Sequence, residues 1–566
     1  MIVGIDLGTT NSLIGCVREG VNHLFPDEDG NLLLPSVVAL GDGDRLVVGR
    51  RALNRRLLEP SRAVAQVKRK MGSAVRSRFG PHELSPPEVS ALILGALLDR
   101  VEASTETRPE AAIITVPAYF DDLQREATRD AGELAGLRVE RLVNEPTAAA
   151  LTHTSGGEER VLVYDFGGGT FDVSVLERDE GFLEVCSSDG DTRLGGADID
   201  EALLEHALRA LGSRADAVRR DAAGMARLGA AMERAKIALS TRAQVDVFEP
   251  QLIKDVHLEM SLGRADLERL AAPFVARSLR SVDRALASVG WPPDSLDRVL
   301  LVGGMSQMPL VEEMVGEHLG RAMSKTEEPE LAVARGAAML AGRADGVEVD
   351  EVLVDVTPHT LAVAVRGRDG EFQASPIIPR QSAVPVSRTR TFFTGTDGQP
   401  IVEVPVLQGE AIQVEDNAAL GQVVIEHLPP SPAGSPVDVS LRLDISGLLH
   451  ASAVHVLSGR EAEVTIRRGP AALTRTEKRR ARERIALIEQ PGERDIDGVD
   501  EEQRRLASAL LERADRVIDR SESPSPELEA LKGARTELAT ALESGEDSQL
   551  LAELVDSLSG ALLDLM

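Results

Sequence analysis

The chain has little cysteine, no excess of basic charge and no long apolar run. Of its 566 residues only two are cysteines, Cys16 and Cys186, both inside apolar, strand-like stretches. That excludes a disulfide framework and predicts two buried thiols in a reducing compartment, with no bridge between them. Lysine and arginine number 63 against 92 aspartates and glutamates, a formal net charge of −29. Such a surface repels a phosphate backbone or an anionic lipid, which argues against a general role on nucleic acid or membranes. No stretch is apolar for long enough to span a bilayer, and the chain opens on a strand at Ile2 with no basic leader, so a cytoplasmic protein is expected. Two phosphate-binding signatures are also missing. Neither GxxxxGK[ST] nor GxGxxG after a strand is found, which removes the main warrant for P-loop and dinucleotide folds.

What is present is apolar content of 43%, ample for several packed cores, and a length that predicts about three or four domains. Through residues 1–346, short apolar runs such as AAIITVPA, RVLVYDFG and RVLLVGG alternate with helical segments such as DDLQREATRDAGELAGL, the grammar of α/β layering. Residues 347–356 hold the acid-spotted apolar strip EVLVDV, which reads as an inter-domain linker or as a strand. Residues 357–470 change to period-two alternation, clearest in VDVSLRLDI, broken by Gly and Pro turns, and predict an all-β domain. Residues 471–566 are helical. They open with a capping box from Thr474 to Glu477 and restart at Ser525 with Pro526 in the first helical position. The last stripe, Leu551, Leu554, Val555, Leu558 and Leu562, must pack on something.

Two stretches share one pattern. IVGIDLGTTNSLIGCV (Ile2 to Val17) and VLVYDFGGGTFDVSVL (Val161 to Leu176) each run from an apolar strand through Asp, Gly and Thr into a second apolar strand. Glycines at such a bend leave backbone N–H groups uncovered, so these can point at phosphate oxygens. The hydroxyls of Thr9, Thr10 and Thr170 can add donors. Carboxylates beside a polyphosphate are repelled unless a divalent cation sits between them, so Asp6 and Asp165 imply magnesium. One such turn by itself is more often an ordinary glycine-rich hairpin. Two matching turns point to two related lobes gripping one nucleotide from opposite sides. A third site, VLLVGGMSQMPLVEEMV, places Gly303 and Gly304 after a buried strand, where a flat base could lie on backbone or where the chain simply turns into a helix. Glu233, Lys236 and Ser240 share a helical face that could read ribose or adenine or could be solvated. The basic run VKRKMG, taken alone, is a solvated turn, and nothing in it separates Lys68 from Arg69 or Lys70.

In order along the chain, GIDLGTTNS, IITVPAYFDDLQREAT, LVNEPTAAAL, YDFGGGTFDVSVLE, GDTRLGGADID, LVGGMSQMP and VLQGE resemble the motifs of the DnaK-type 70-kilodalton heat-shock chaperones over nearly the whole chain. KRKMGS, SPIIPRQSAVPVSR and the compact C-terminal region look most like the bacterial HscC branch. The resemblance implies a multidomain fold: a two-lobed actin-like α/β ATPase domain over 1–346, a linker over 347–356, a β-sandwich peptide-binding domain over 357–470 and an α-helical lid over 471–566. It implies an ATP-dependent chaperone that binds and releases extended apolar segments of unfolded or partner polypeptides, with ATP/ADP and Mg2+ as cofactors, a role in protein folding and stress, a J-domain cochaperone and a monomeric state.

Carried over motif by motif, Asp6, Gly8, Thr9, Thr10 and Asn11 resemble the first phosphate loop, and Gly167, Gly168, Gly169 and Thr170 the second. Gly195, Gly196, Glu233, Lys236, Ser240, Gly303 and Gly304 fall at the nucleoside. The resemblance makes Lys68 the catalytic lysine, with Glu145, Asp165, Thr170 and Asp172 beside it, and puts Asp6, Asp165 and Glu145 around the magnesium through water. Pro117 and Arg125 resemble the family's switch pair. Leu353 is expected in an apolar groove and Asp355 against a cation on the segment bearing Arg141. Val363, Phe392, Val402 and Val404 align with the apolar peptide slot, with core packing as the other reading, and Arg366 and Gly395 with the residues that arch over it.

Some residues depart from the family pattern. Ala197 stands where an acid is usual, Gln307 where arginine is usual, and Glu351 where the linker is usually aliphatic. Two segments, between Gly72 and Pro86 and at VDVFEPQLIKDVHLEMSL, are short, the second lacking the loop that exchange factors grip. A GrpE-type factor is therefore not implied, and ADP is expected to leave unaided. Two rival classes share the turns. A sugar or acetate kinase has no need of a β domain and lid after residue 356, and an exchange-factor-like or holdase relative with weak ATPase activity would be expected to lose Lys68, Glu145, Asp165 or Thr170, all of which are present.

Overall fold

In the computed structural model, described for residues 1–41, 44–153, 158–179, 182–254, 256–324, 328–347, 352–367, 370–464, 473–489, 507–508, 510–519, 525–544, 554–555, 557–558 and 561–562, the two sequence hairpins become the centres of two sheets. In the first, Ile2–Asp6 pairs antiparallel with Asn11–Arg18 and parallel with Ala111–Val116, which in turn pairs parallel with Arg138–Asn144. In the second, Glu159–Phe166 pairs antiparallel with Phe171–Asp179 and parallel with Arg298–Val302. Each sheet thus has a hairpin on one side of its leading strand and a parallel crossover on the other, and two lobes follow. Parallel strands need cover on both faces, which is why these strands are nearly all apolar. In the second lobe that cover comes from helices Gly196–Ala210, Ala222–Leu239, Arg264–Val289 and Pro309–Leu319. In the first it comes from Pro86–Thr105, Asp122–Leu134 and Ala332–Ala344.

Cys16 is a buried free thiol in the first sheet, whereas Cys186, in strand Phe182–Asp191 of the second, is only half buried. The expectation of two buried thiols therefore holds for one of them. Cys186 sits mid-strand, in phase with the exposed Phe182 and Glu184, on the face that receives less cover. Among the described residues no helix is long and apolar enough to cross a membrane.

Two four-stranded antiparallel sheets follow. One has Leu361–Arg366 between Phe372–Ile378 and Val402–Gln408, with Ala418–Ile425 beyond; the other runs from Val386–Phe393 through Pro436–Leu443 and Leu449–His455 to Arg460–Val464. Their inward residues share one core, as period-two alternation requires.

The strip Val352–Val356 decides how these parts meet. It adds to the second lobe's sheet, parallel to Phe182–Asp191 with Leu353 opposite Leu183, then pairs antiparallel with Ala383–Val384. Leu353 and Val356 are buried in a cluster with helix Glu145–Leu151 and both lobes' strands. Residues 348–351, Glu351 among them, lie outside the described residues. Alongside the strip the sandwich packs on the first lobe. Asp122 N donates to Gln408 Oε1 at 3.2 Å, Asp122 Oδ1 accepts from Leu449 N at 2.9 Å, and Leu142 N donates to Ser446 Oγ at 3.2 Å.

Helix Arg475–Glu489 begins at the capping box: Thr474 N and Oγ1 both donate to Glu477. It lies on the first lobe, not on the sandwich. Ala481, Ile485 and Ile488 join the lobe's core, and Lys478 Nζ reaches Asp130 at 2.5 Å and Glu133 at 2.6 Å. A second helix, Pro526–Ser544, starts where Ser525 Oγ accepts from Leu528 N at 3.1 Å. Val555, Leu558 and Leu562 pack with it and with Leu510, Ala514 and Val517 in a separate core; Leu551 lies outside the described residues.

Candidate functional site

The two hairpin turns face each other across a cleft between the lobes. A Cβ added at Gly168 would stand 2.1 Å from Thr10 Oγ1, and one at Gly169 would stand 2.4 Å from Thr9 Cγ2. Only bare backbone permits this approach. Gly303, at φ +81°, needs glycine for a second reason, since a Cβ there would meet the Phe166 carbonyl at 2.5 Å. The cleft, about 200 Å³, is lined by Asp6, Gly8, Thr9, Thr10, Asn11, Lys68, Glu145, Asp165, Gly167, Gly168, Thr170, Gly196, Glu233, Lys236, Gly303 and Gly304 among others, and it shares a wall with an outer cavity of about 1000 Å³.

The basic run separates by direction. Lys68 is 5% exposed and its ammonium is ion-paired with Glu145. Arg69 turns the other way, donating to the Gly169 carbonyl at 3.0 Å and pairing with Asp198, while Lys70 reaches Ser77 Oγ at 3.4 Å. Only Lys68 enters the cleft. The 3-10 turn Val67–Lys70, following Gln66 at φ +53°, points the three consecutive bases apart.

Carboxylates crowd this lysine. Burial, helped by Glu145 and opposed by Lys68, pushes Asp6 up to about 7. Burial followed by Glu145 raises Asp172 to about 7, against the hydrogen bond it accepts from Tyr119 N at 2.9 Å. Asp165 is raised well above the carboxylate range by burial and by Glu145, Asp172 and Asp6. Burial pulls the Lys68 ammonium down, but Glu145, Asp6 and Asp172 outweigh it and Lys68 ends above its ordinary value.

Among the described residues Asp165 Oδ2 is buried with no hydrogen-bond partner, and Asp6 Oδ1 accepts a 3.1 Å bond from Thr115 Oγ1. A divalent cation suits this donor set, because it would let these acids ionise together. Among the described residues no three His, Cys, Asp or Glu side chains are arranged to hold a metal by themselves. The protein supplies part of a coordination sphere, and phosphate and water would complete it.

Not every candidate lines the cleft. Ser240 Oγ bonds its own helix at the Lys236 carbonyl, 3.4 Å away, and Asp172 lies behind the wall. Gly195 shapes the second turn from behind, its N donating to Asp198 Oδ2 at 2.8 Å, while Gly196, which does line the cleft, ties to that turn by donating its N to the Gly167 carbonyl at 3.0 Å. Ala197 N donates to the Gly168 carbonyl at 2.8 Å, and the acid that holds Arg69 stands one residue later at Asp198. Gln307 lines the outer cavity. Among the lining residues that reading sequence missed are Asp200, which holds Lys236 at 2.8 Å, Ile237 and Glu330. Asp200 was visible as the last acid of GGADID; the other two carry no signal without the fold.

Behind the cleft, Arg125 is fully enclosed. It donates to the Phe120 and Ala118 carbonyls at 3.2 and 3.1 Å and to Asn144 Oδ1 at 2.7 Å. Pro117 is buried at the end of strand Ala111–Val116 just before this group. Asp355 of the linker strip faces both Arg125 and Arg141 and accepts from Val356 N at 2.9 Å.

The peptide-slot residues are not brought into an open slot. Val363, Val402 and Val404 are buried in the sandwich core, with Phe392 packed at its margin. Alternation puts all inward side chains there, and core packing is the arrangement found. Arg366 is exposed, its Nε bonded to the Gly370 carbonyl of its own turn at 3.0 Å, and Gly395 is exposed.

The chain matches the family described as Hsp70 protein over residues 2–80 and 73–565. It is 40% identical over 480 residues to proteins named chaperone protein DnaK from Thermotoga petrophila and Thermotoga maritima, covering 82% of this chain and 80% of theirs. The protein of that name from Thermotoga neapolitana matches to the same extent.

Proposed function

The chain belongs to the Hsp70 protein family, and from that premise we propose which of its residues run the cycle. It is an ATP-dependent chaperone: an ATPase that uses ATP and ADP with Mg2+ and binds client peptides. Lys68 is the catalytic lysine. Fixed by Glu145 at the floor of the cleft, its ammonium orients the attacking water and offsets charge developing on the transferring phosphoryl oxygens. Thr9, Thr10 and Asn11 on one lobe and Gly168 and Thr170 on the other take the phosphates, so closing the lobes assembles donors from both sides. Asp6, Asp165 and Glu145 are the residues that would hold Mg2+. Bound there, the cation neutralises phosphate charge. Asp172 is a positioning residue that acts through the Tyr119 amide. Glu233, Lys236 and Asp200 hold the ribose side of the nucleoside, with Gly303 and Gly304 beneath the base.

The observation that carries this reading is the buried Lys68–Glu145 pair at the one place where both glycine turns converge. Turnover of ATP with and without an extended apolar peptide tests it. Peptide should stimulate the intact chain. Lys68→Ala should lower single-turnover hydrolysis by on the order of a hundredfold while ATP still binds; an unchanged rate removes Lys68 from the mechanism.

Within this reading the sandwich, docked with its core closed, is the arrangement of weak peptide affinity, and the slot around Val363, Phe392, Val402 and Val404 opens to peptide when the linker strip leaves the second lobe. The HscC branch, a J-domain cochaperone, ADP release without a GrpE-type factor, a cytoplasmic location and a monomeric state complete the proposal.

A further inference from the structure

We propose that the free edge of strand Val386–Phe393 in the sandwich is a second peptide-binding site, outside the apolar slot, and that Arg388 and Arg390 make it selective for an extended segment with carboxylates at alternate positions. The inference deepens the peptide-binding reading above and rests on it for its biological sense.

Val386–Phe393 is the last strand of its sheet. It pairs over its whole length with Pro436–Leu443, from Val386 opposite Leu443 to Phe393 opposite Pro436, and among the described residues nothing pairs with its other edge. Ser387 to Thr391 are all exposed. A long exposed edge is a template on which another extended chain can add a strand. The outer face of the strand is tied down. Thr389 Oγ1 and Ser440 Oγ lie 2.7 Å apart, and Thr391 Oγ1 donates to Asp438 Oδ1 at 2.6 Å. The edge is therefore held extended before a ligand arrives, which lowers the ordering cost of pairing.

The inner face sets the selectivity. Val386, Arg388, Arg390 and Phe392 stand opposite Leu443, Leu441, Val439 and Val437, all four buried in the sandwich core. Two successive core-facing positions are thus arginine, yet both residues are exposed. Arg390 reaches the rim of the facing sheet, where its Nη1 donates to the Pro376 carbonyl of edge strand Phe372–Ile378 at 3.0 Å, and its guanidinium lies 5.7 Å from the centre of the Phe392 ring. Among the described residues neither Arg388 nor Arg390 has a carboxylate partner, although the chain holds 92 acids to 63 bases. A charge that only keeps an edge from pairing works equally well when splayed into solvent. Arg390 is instead fixed by a carbonyl and a ring, and its remaining N–H donors are left for a ligand.

The spacing gives the ligand. Residues two apart on a strand stand about 7 Å apart on one face, so a chain added along this edge brings its own alternate side chains beside Arg388 and Arg390. Two carboxylates two residues apart, with apolar residues on either side to meet Val386 and Phe392, match the row. Lysines at those positions would be repelled.

The test uses the full chain with ADP and three fluorescent peptides of one length: an apolar one without charge, one with glutamate at two alternate positions between apolar residues, and one with lysine there. The unaltered chain should bind the glutamate peptide about tenfold tighter than the lysine peptide. That gap should close in about 1 M salt, and amides of 387–391 should gain exchange protection with the glutamate peptide alone. Arg388→Gln combined with Arg390→Gln should erase both the gap and the protection while leaving the affinity of the uncharged peptide and peptide-free ATP turnover unchanged. If the glutamate peptide leaves 387–391 unprotected, or the double variant keeps the gap, the edge site is overturned and the slot reading stands. A double variant that self-associates and keeps the gap makes the arginines guards against edge pairing, which also overturns it. If the uncharged peptide fails to bind while the glutamate peptide protects 387–391, the slot reading fails and the edge site stands.

Discussion

Arg125 donates to Asn144 Oδ1 at 2.7 Å, and Asn144 is the residue before Glu145, the partner of Lys68. The same guanidinium faces Asp355 of the linker strip. Arg125 thus stands between the Lys68–Glu145 pair and the strip Val352–Val356, with every intermediate contact buried. Coupling between sites needs an element that both sites contact and bias, and the strip Val352–Val356 pairs with the second lobe on one side and with Ala383–Val384 on the other.

Replacing Leu353 and Asp355 together by alanine should therefore leave ATP binding and isolated peptide binding near normal while abolishing peptide-stimulated turnover and ATP-induced peptide release. Leu353 loses its place in the shared apolar cluster and Arg125 its linker partner. Release at the wild-type rate in the double variant would show that the domains communicate through another surface. By linkage, whatever factor ATP takes from peptide affinity, peptide takes from ATP affinity, about 1 to 3 kcal/mol in typical cases.

Docking of the sandwich should weaken as pH rises through neutrality. Asp122 is pushed up to about 7 by burial at the interface, against the bond from Leu449 N, with Glu126 and Asp121 adding to the rise and Arg125 opposing it. When the sandwich leaves, Asp122 returns toward an ordinary carboxylate value, so the docked state holds the extra proton. The contribution to docking is full below the ordinary value and is lost as pH climbs through about 7. His359, lowered by burial, changes only below its ordinary value and so leaves the upper part of this window to Asp122. From pH 6 to pH 8 docking should lose on the order of 1 kcal/mol, measured by energy transfer between labels on the first lobe and the sandwich. Asp122→Asn should flatten the dependence.

Lys478→Ala should free helix Arg475–Glu489 from the first lobe. Asp130 is fully buried and Lys478 is 12% exposed, so the substitution strands an acid inside the lobe at a cost of about 3 kcal/mol. Amide exchange over 475–489 should rise to near the unprotected rate, and persistent protection would place the helix's affinity in Ala481, Ile485 and Ile488 alone.

Arg366 should select peptide flanks. Its guanidinium is exposed and bonded to the Gly370 carbonyl of its own turn, where it can meet an acidic or polar residue beside a bound segment. Peptide arrays should favour acidic flanks, and Arg366→Ala should erase that bias. A preference for basic flanks in the unaltered chain counts against it.

The sequence by itself determined the paired turns, because Asp, Gly and Thr between apolar strands can do little else than form tight hairpins with bare amides at the tip. It also determined the alternating strands of the sandwich and the capping box at Thr474, each written in a local period or a local hydrogen bond. Tertiary structure alone decided which base of VKRKMG enters the cleft, since three neighbouring cations differ only in direction. It decided that EVLVDV pairs with the second lobe, because an apolar strip fits either neighbour and only the exposed edge of Phe182–Asp191 settles the choice. It closed the sandwich core over Val363, Val402 and Val404, since inward alternation is the same for a core and for a slot. And it brought Arg513 to Glu249 across 264 residues, a contact of a largely buried and a buried charge that no pattern in the chain could signal.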